Sequence, residues 1–191
     1  MTLPNLITIA RIFLVPAIVW LLFAHSYSLA FVLFLVAGLS DALDGFLAKH
    51  YNLRSELGAY LDPLADKVLL VAIYVVMGIF EHLPVWLVIM VVSRDVAIVG
   101  AVMLSWLLHK PVEMDPHMVS KANTVMQILL VVLVLGGLAF ARVPEALVDV
   151  GTAVVGLLTL ASLAVYLRDW LQHMAGGPGS DGGPGTPQGS R

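Results

Sequence analysis

Six apolar stretches, at about 12–24, 29–48, 64–80, 84–108, 122–141 and 147–167, follow one another along the chain, and the short segments between them hold most of its charge. Crossing a bilayer takes about 20 predominantly apolar residues in helical form, so a chain of 191 residues has room for these six spans and few more. Charged residues make up 12% and hydrophobic residues 60% of the sequence, roughly half the charge that a soluble domain carries. A water-soluble fold is thereby excluded. With no water in the hydrocarbon core, each stretch must satisfy its own backbone hydrogen bonds, which makes it a helix. The expected fold is all-α, a polytopic membrane bundle of six transmembrane helices.

Lysine and arginine set the expected orientation. Lys49, Arg54, Lys110 and Lys121 fall in the connections on one side, with Arg11 and Arg168 near the ends of the first and last spans. The opposite connections, around His25, Glu81 to Leu83 and Arg142 to Glu145, hold only Arg142. Positive charge marks the cytoplasmic face, so both termini are expected there, in a multi-pass protein of the cell inner (cytoplasmic) membrane. Met1 to Arg11 does not read as a cleavable signal, because no small-residue cleavage site follows, and the N-terminus is expected to stay attached. Residues 1–174 read as the membrane domain and the Gly/Pro-rich 175–191 as a disordered tail, which from Gly176 onward has nothing apolar to bury. The chain has no cysteine, which removes disulfides, thiol nucleophiles and Cys-ligated metal centres. It has no basic run that could track a phosphate backbone, so nucleic acid is not an expected partner.

Against this background the stretch Ser40 to Lys67 stands out. Asp41 and Asp44 are three residues apart at the end of the second apolar stretch, and Asp62 and Asp66 are four apart at the start of the third. Both spacings put the two carboxylates on one face of a helix. Consecutive helices joined by a short cytoplasmic connection are expected to be antiparallel neighbours, which would bring the four acids together just below the membrane surface. Each ionised carboxylate in a span costs about 2.5–3.5 kcal/mol on insertion scales, so something cationic must compensate. Hard divalent cations take oxygen ligands, and four carboxylates suit one or two Mg²⁺ or Mn²⁺ ions with coordination positions left for a phosphate oxygen. Pairing with Lys49, Arg54 or Lys67 is the plainer alternative, but three cations do not match four acids. Gly45, Ala48 and Gly58 lie at turn spacing from the acids, and small residues let a ring or a phosphate approach the backbone closely.

The arrangement Asp41-x-x-Asp44-Gly45-x-x-Ala48, followed by Gly58-x-x-x-Asp62-x-x-x-Asp66, resembles the signature of the CDP-alcohol phosphatidyltransferase family of integral-membrane enzymes. Lys49 stands where that family usually has arginine, a point charge in place of a planar two-pronged fork. The segment L-P-N-L-I-T-I-A-R from Leu3 to Arg11 resembles the family's entry segment. The segments around Arg94 and Asp95 and from Met118 to Leu130 are most similar to those of its CMP-forming cardiolipin synthases, and next to those of phosphatidylglycerophosphate synthases.

The resemblance implies transfer of a phosphatidyl group from CDP-diacylglycerol to a phosphate-bearing alcohol, with release of CMP. The acceptor would be phosphatidylglycerol, or alternatively glycerol-3-phosphate. It implies metal ligation by Asp41, Asp44, Asp62 and Asp66, with Asp66 also taking the proton from the acceptor hydroxyl. Gly45, Ala48, Lys49 and Gly58, together with Asn5 and Thr8, would bind the CDP moiety. A homodimer is a further implication.

Arg94, about ten residues into its span, is costly there as a lone cation. It reads either as a clamp for the acceptor phosphate or as the partner of Asp95 or Asp66. Lys121 reads as a second phosphate ligand or as a snorkelling anchor. His109 and His117 read as surface residues, Trp20, Trp86, Trp106 and Trp170 as interfacial anchors, and Asp149 as a helix cap. A small cation transporter using the same acids would distribute them along a path through the bilayer, whereas these four gather at one side.

Overall fold

A computed structural model describes the backbone of residues 3–51, 56–107, 118–140 and 143–175, and the side chains of 13–40, 67–100, 118–140 and 143–171. In chain order the helices are α1 (Leu3–Phe23), α2 (Tyr27–Tyr51), α3 (Glu56–Ile79), α4 (Val85–Leu107), α5 (Met118–Phe140) and α6 (Glu145–Ala175), with no strand among the described residues. Each coincides with one apolar stretch of the sequence. Helix α1 starts nine residues before its stretch and α3 eight, because a helix continues through polar residues as long as its ladder is satisfied. By length and apolarity α5, over Met118–Phe140, and α6, over Glu145–Leu171, are each able to cross a membrane. Phe13–Phe23, Tyr27–Ser40 and Lys67–Ile79 are shorter apolar helical segments within the described residues.

The radial distribution of polarity is inverted relative to a soluble protein. Trp20, Phe13 and Leu157 are more than two-thirds exposed, whereas Arg94, Asp95, Asn123, Gln127 and Ser162 are buried. Water penalises such a surface, and hydrocarbon favours it. Inside, Ile18, Leu22, Ile73, Tyr74, Met77, Leu87 and Leu135 make a core to which α1, α3, α4 and α5 all contribute.

Helix α3 packs against α1, α4 and α5, helix α2 against α1 and α5, and helix α6 against α4 and α5. Among the described residues α2 and α3 make no close backbone approach to each other; α1 and α5 each touch both. Over the described residues the two helices are bridged by α1 and α5; the expected meeting of their acidic ends falls on Asp41 to Asp66, whose side chains lie outside the described residues.

The two turns at the end opposite the acidic segment share a design. Ser26 N–H donates to the Leu21 carbonyl at 2.9 Å, and His82 N–H to the Met77 carbonyl at 2.9 Å, so α1 and α3 both end in a six-residue loop-back. The left-handed position this requires is held by His25 (φ 54°) and Glu81 (φ 58°), where glycine is the usual occupant. Side-chain contacts compensate. The Tyr27 hydroxyl lies 2.8 Å from His25 Nδ1 and 3.4 Å from His82 Nε2, joining the turns, and Phe80 stacks against both histidines and Phe23. Burial, and secondarily the neighbouring His25, hold the His82 imidazole below its ordinary pKa.

Asp149 was expected to cap a helix, but α6 begins at Glu145, directly after Pro144. Asp149 therefore stands in the second turn, and with Glu81, His82 and Glu145 it lines a cavity of about 540 Å³. Trp20 and Trp86 are exposed near this end, as anchoring requires, and Trp170 near the other end is half-buried.

Candidate functional site

Asp41 and Asp44 fall within α2, and Asp62 and Asp66 within α3. Their side chains lie outside the described residues, as do those of Asn5, Thr8, Gly45, Ala48, Lys49, Gly58 and Trp106, and as do His109 and His117. Among the described residues no group of three or more His, Cys, Asp or Glu side chains could hold a metal ion. The donor set of four carboxylates supplies only oxygen, which suits Mg²⁺ or Mn²⁺ rather than a softer ion.

Next to Asp66 in sequence, the described structure begins with an ion-pair network. Lys67 Nζ donates to Asp95 Oδ1 at 2.7 Å, and Arg94 Nη1 donates to the same oxygen at 2.6 Å. Arg94 is only 1% exposed. Its Nη2 donates to Ser120 Oγ at 2.6 Å and to Ser162 Oγ at 2.8 Å, and its Nε donates to Ser162 Oγ at 3.3 Å. One side chain of α4 thus gathers α5 and α6, while its neighbour Asp95 gathers α3. Lys67, one of the cations weighed as partners for the acidic face, pairs across to Asp95 of α4 among the described residues.

A second layer lies deeper along α5. Thr159 Oγ1 donates to Asn123 Oδ1 at 3.1 Å, and the Tyr74 hydroxyl donates to the Gln127 carbonyl at 3.2 Å. The amide nitrogens of Asn123 and Gln127 are buried without a hydrogen-bond partner among the described residues. Sequence reading missed these residues. The signal was their spacing, since Ser120, Asn123, Thr124 and Gln127 recur every three or four residues and mark one polar stripe on an apolar helix.

Between α2, α3 and α5 there is a cavity of about 390 Å³, in the range of small-molecule sites. Lys67, Asp95, Thr124 and Gln127 contribute its polar groups, and Phe34, Leu70 and Val132 are among its apolar ones. It occupies the space that the bridged packing of α2 and α3 leaves. Lys121, in the first turn of α5 beside Ser120, is exposed.

Taken together, fold and site show a helical bundle with an apolar exterior that buries Arg94 and Asp95 and keeps a pocket beside them. The family model for CDP-alcohol phosphatidyltransferase matches residues 1–168, and the chain belongs to that family, whose members use CDP-alcohol donors and alcohol acceptors in phospholipid biosynthesis. A human protein named cardiolipin synthase (CMP-forming) is 36% identical over 146 residues, covering 68% of this chain and 48% of that protein. A probable cardiolipin synthase (CMP-forming) of Drosophila melanogaster is 30% identical over 185 residues, covering 88% of this chain and 58% of the relative. The Bacillus subtilis protein named CDP-diacylglycerol–glycerol-3-phosphate 3-phosphatidyltransferase is 31% identical over 185 residues, covering 88% of this chain and 95% of the relative. The chain spans about half the length of the human cardiolipin synthase it matches.

Proposed function

We propose that this chain is a CMP-forming phosphatidyltransferase of the inner membrane that joins CDP-diacylglycerol to phosphatidylglycerol, yielding cardiolipin and CMP. The observation that carries the reading is the full set of four family aspartates in a chain 36% identical to a protein named cardiolipin synthase (CMP-forming). Six spans with both termini cytoplasmic put the acidic ends of α2 and α3 on the cytoplasmic side, in a catalytic domain of residues 1–174 followed by a tail of 175–191.

Asp41, Asp44, Asp62 and Asp66 fit Mg²⁺ or Mn²⁺, which when bound would neutralise phosphate charge and stabilise the entering and leaving oxygens. Gly45, Ala48 and Gly58 leave the backbone open to the CDP moiety, Lys49 meets its phosphate as a point charge, and Asn5 and Thr8 contact it from α1. The acceptor hydroxyl attacks the phosphorus that carries diacylglycerol. That P–O bond forms as the bond to CMP breaks, and the hydroxyl proton passes to the Asp66 carboxylate. An alcohol is a weak acid beside a carboxylic acid, so the proton moves late, once the new P–O bond has acidified it.

Lys121, exposed at the mouth of α5, is the group that meets the acceptor phosphate. Arg94, one hydrogen bond away through Ser120, contributes its charge from behind, because direct contact would require Asp95, Ser120 or Ser162 to yield.

The Bacillus relative, matched over 95% of its length, favours a second reading with glycerol-3-phosphate as acceptor. Purified protein given CDP-diacylglycerol, Mg²⁺ and each acceptor in turn separates the two. Cardiolipin is the expected product. Phosphatidylglycerophosphate instead would establish the second reading, and no phospholipid with any alcohol would refute both.

A further inference from the structure

Two serines hold the guanidinium of Arg94, and they differ in where their own protons can go. Ser162 Oγ accepts from Arg94 Nη2 at 2.8 Å and from Nε at 3.3 Å, and its residue is 4% exposed well inside α6. Ser120 Oγ accepts from Nη2 at 2.6 Å and is part-buried, in the first turn of α5. A hydroxyl inside a helix commonly returns its proton to a carbonyl three or four residues back. Thr124 does so, donating to the Ser120 carbonyl at 3.2 Å. Ser162 has helical carbonyls at both distances. Ser120 is the third residue of α5, so the helix offers it neither.

A hydroxyl whose lone pair takes a guanidinium N–H turns its proton away from that cation, and the charge behind it strengthens the O–H as a donor. Among the described residues Ser120 Oγ accepts a hydrogen bond and donates none. Its surroundings say what kind of acceptor suits it. Thr124, one turn or about 6 Å further along the same face of α5, lines the pocket with Lys67 and Asp95. Lys121, the next residue in the chain, is exposed. The charged groups of this network and its mouth are Lys67, Arg94 and Lys121 against Asp95, three cations to one carboxylate, and Asp95 Oδ1 already takes from two of them. That balance favours an anion, and a phosphate has oxygens for the hydroxyl and for the Lys121 ammonium at once. In the reaction proposed above, the phosphates of the donor belong with Lys49 and the acids of α2 and α3, which leaves the phosphate of the acceptor for α5.

We propose that Ser120 is a direct ligand of the acceptor's phosphate: its hydroxyl donates to a phosphate oxygen while Arg94 Nη2 donates to the hydroxyl, so the buried guanidinium acts on the phosphate without touching it. This rests on the reading of the chain as a phosphatidyltransferase with a phosphate-bearing acceptor, though not on which acceptor it uses. It separates the two serines, since both hold Arg94 and only Ser120 reaches the substrate.

The test measures CMP release by the full chain in mixed micelles, with KM determined separately for CDP-diacylglycerol and for whichever acceptor supports turnover. Ser120→Ala should raise the acceptor KM about 10- to 100-fold, the worth of one hydrogen bond to a charged group, and leave the donor KM within twofold. Ser120→Thr, which keeps the hydroxyl, should recover most of the loss. Ser162→Ala removes an Arg94 partner of the same kind, and its acceptor KM should rise several-fold less than that of Ser120→Ala. If Ser120→Ala does not fold, Ser120→Cys, which keeps the shape with a weak donor, takes its place and should show the same selective rise. An unchanged acceptor KM, a rise shared equally by the donor, equal rises in the two serine variants, or a threonine variant as impaired as the alanine one overturns the assignment. If no alcohol supports CMP release, the proposed function fails separately. The thermal shifts induced by phosphatidylglycerol and by glycerol-3-phosphate then test the ligand without turnover: a smaller shift in Ser120→Ala than in wild type with either probe supports it, and equal shifts with both overturn it.

Discussion

Asp95 is, among the described residues, the carboxylate that two cations share, so its removal probes the network most directly. Its Oδ1 accepts from Lys67 at 2.7 Å and from Arg94 at 2.6 Å, and both Asp95 and Arg94 are nearly inaccessible. Breaking a buried ion pair by deleting one partner costs about 3–5 kcal/mol, most of it from the charge left behind. Two features of the site adjust that figure. Ser120 and Ser162 still satisfy Arg94 Nη2 and Nε, which keeps the loss near the lower end. The Lys67 side chain is 32% exposed and reaches solvent or lipid head groups once released, so its share is about 1 kcal/mol or less. Asp95→Ala should therefore destabilise the bundle by about 3 kcal/mol, and Asp95→Asn, which keeps an oxygen acceptor, by about 1.5 kcal/mol. Denaturant unfolding in a fixed detergent, run as a double-mutant cycle with Lys67→Met and Arg94→Met, measures each pair separately. The Arg94–Asp95 coupling should exceed the Lys67–Asp95 coupling by twofold or more. An Asp95→Ala protein as stable as the wild type, or the reverse ranking of the two couplings, would refute the reasoning.

Asp44→Asn or Asp62→Asn should lower kcat by about 10²–10³-fold, comparable to removing one transition-state charge contact, while unfolding midpoints stay within error; retained turnover would show that these acids are not ligands. Replacing Lys49 by Arg, the residue usual in the family, should leave CMP release within a few-fold of wild type, and a severe loss would show a pocket shaped around lysine. His82 is held below its ordinary pKa when folded, so the unfolded chain binds the proton more readily. The stability this gives is complete above the unfolded value near 6.5 and declines as pH falls below it, despite the opposing pull of Glu81, Glu145 and Asp149 around the same cavity. Unfolding midpoints measured from pH 7.5 to 5.5 should fall for the wild type and fall less for His82→Gln. Finally, Gly137→Ala should destabilise, because its Cβ would sit 2.6 Å from Val143 Cγ2, whereas Gly100→Ala, with open space around it, should gain up to about 1 kcal/mol from helix propensity. Equal effects in the two variants, read from the same unfolding curves, would contradict the packing at Gly137.

Helix number and approximate extent were legible because apolarity alone reports them. The limits were least legible where other physics decides. Helix α1 reaches back to Leu3 through residues that are only partly apolar, and α6 starts ahead of Asp149, because Pro144 can precede a helix without losing a donor it needs. The ends of α1 and α3 carry His25 and Glu81 in the left-handed position, so the glycine that usually announces such a turn is absent, and the side-chain contacts that compensate come from residues distant in sequence. For the site, the acidic motif was visible from its spacing, and Arg94 from its unfavourable placement. Which partners Arg94 takes was not visible. Asp95 is adjacent and weighs equally with more distant acids in a linear reading, while Ser120 and Ser162 are small hydroxyls whose importance depends on two helices meeting at one guanidinium.

That last point bears on what orders the bundle. In hydrocarbon, apolar side chains gain little by leaving lipid for protein, so apolar patterning cannot by itself select which helix faces which. The outer surfaces agree, since large apolar residues on α1, α2, α4 and α6 stay exposed without contributing to the core. Selection must come from groups that lipid cannot satisfy. Arg94 and Asp95 need partners from three other helices, Thr159 needs Asn123, and Tyr74 needs the Gln127 carbonyl. Each contact rules out rotations of the helices concerned, and together they fix the facing sides of α3, α4, α5 and α6. Helix α2 takes no part in these hydrogen bonds, and it is beside α2 that the cavity opens. Among the described residues α2 is tied by hydrogen bonds only at its first turn, where Ser28 Oγ donates to the Ala139 carbonyl at 3.1 Å and the Tyr27 hydroxyl meets His25 and His82, while its residues along the cavity, Phe34 to Leu39, are apolar.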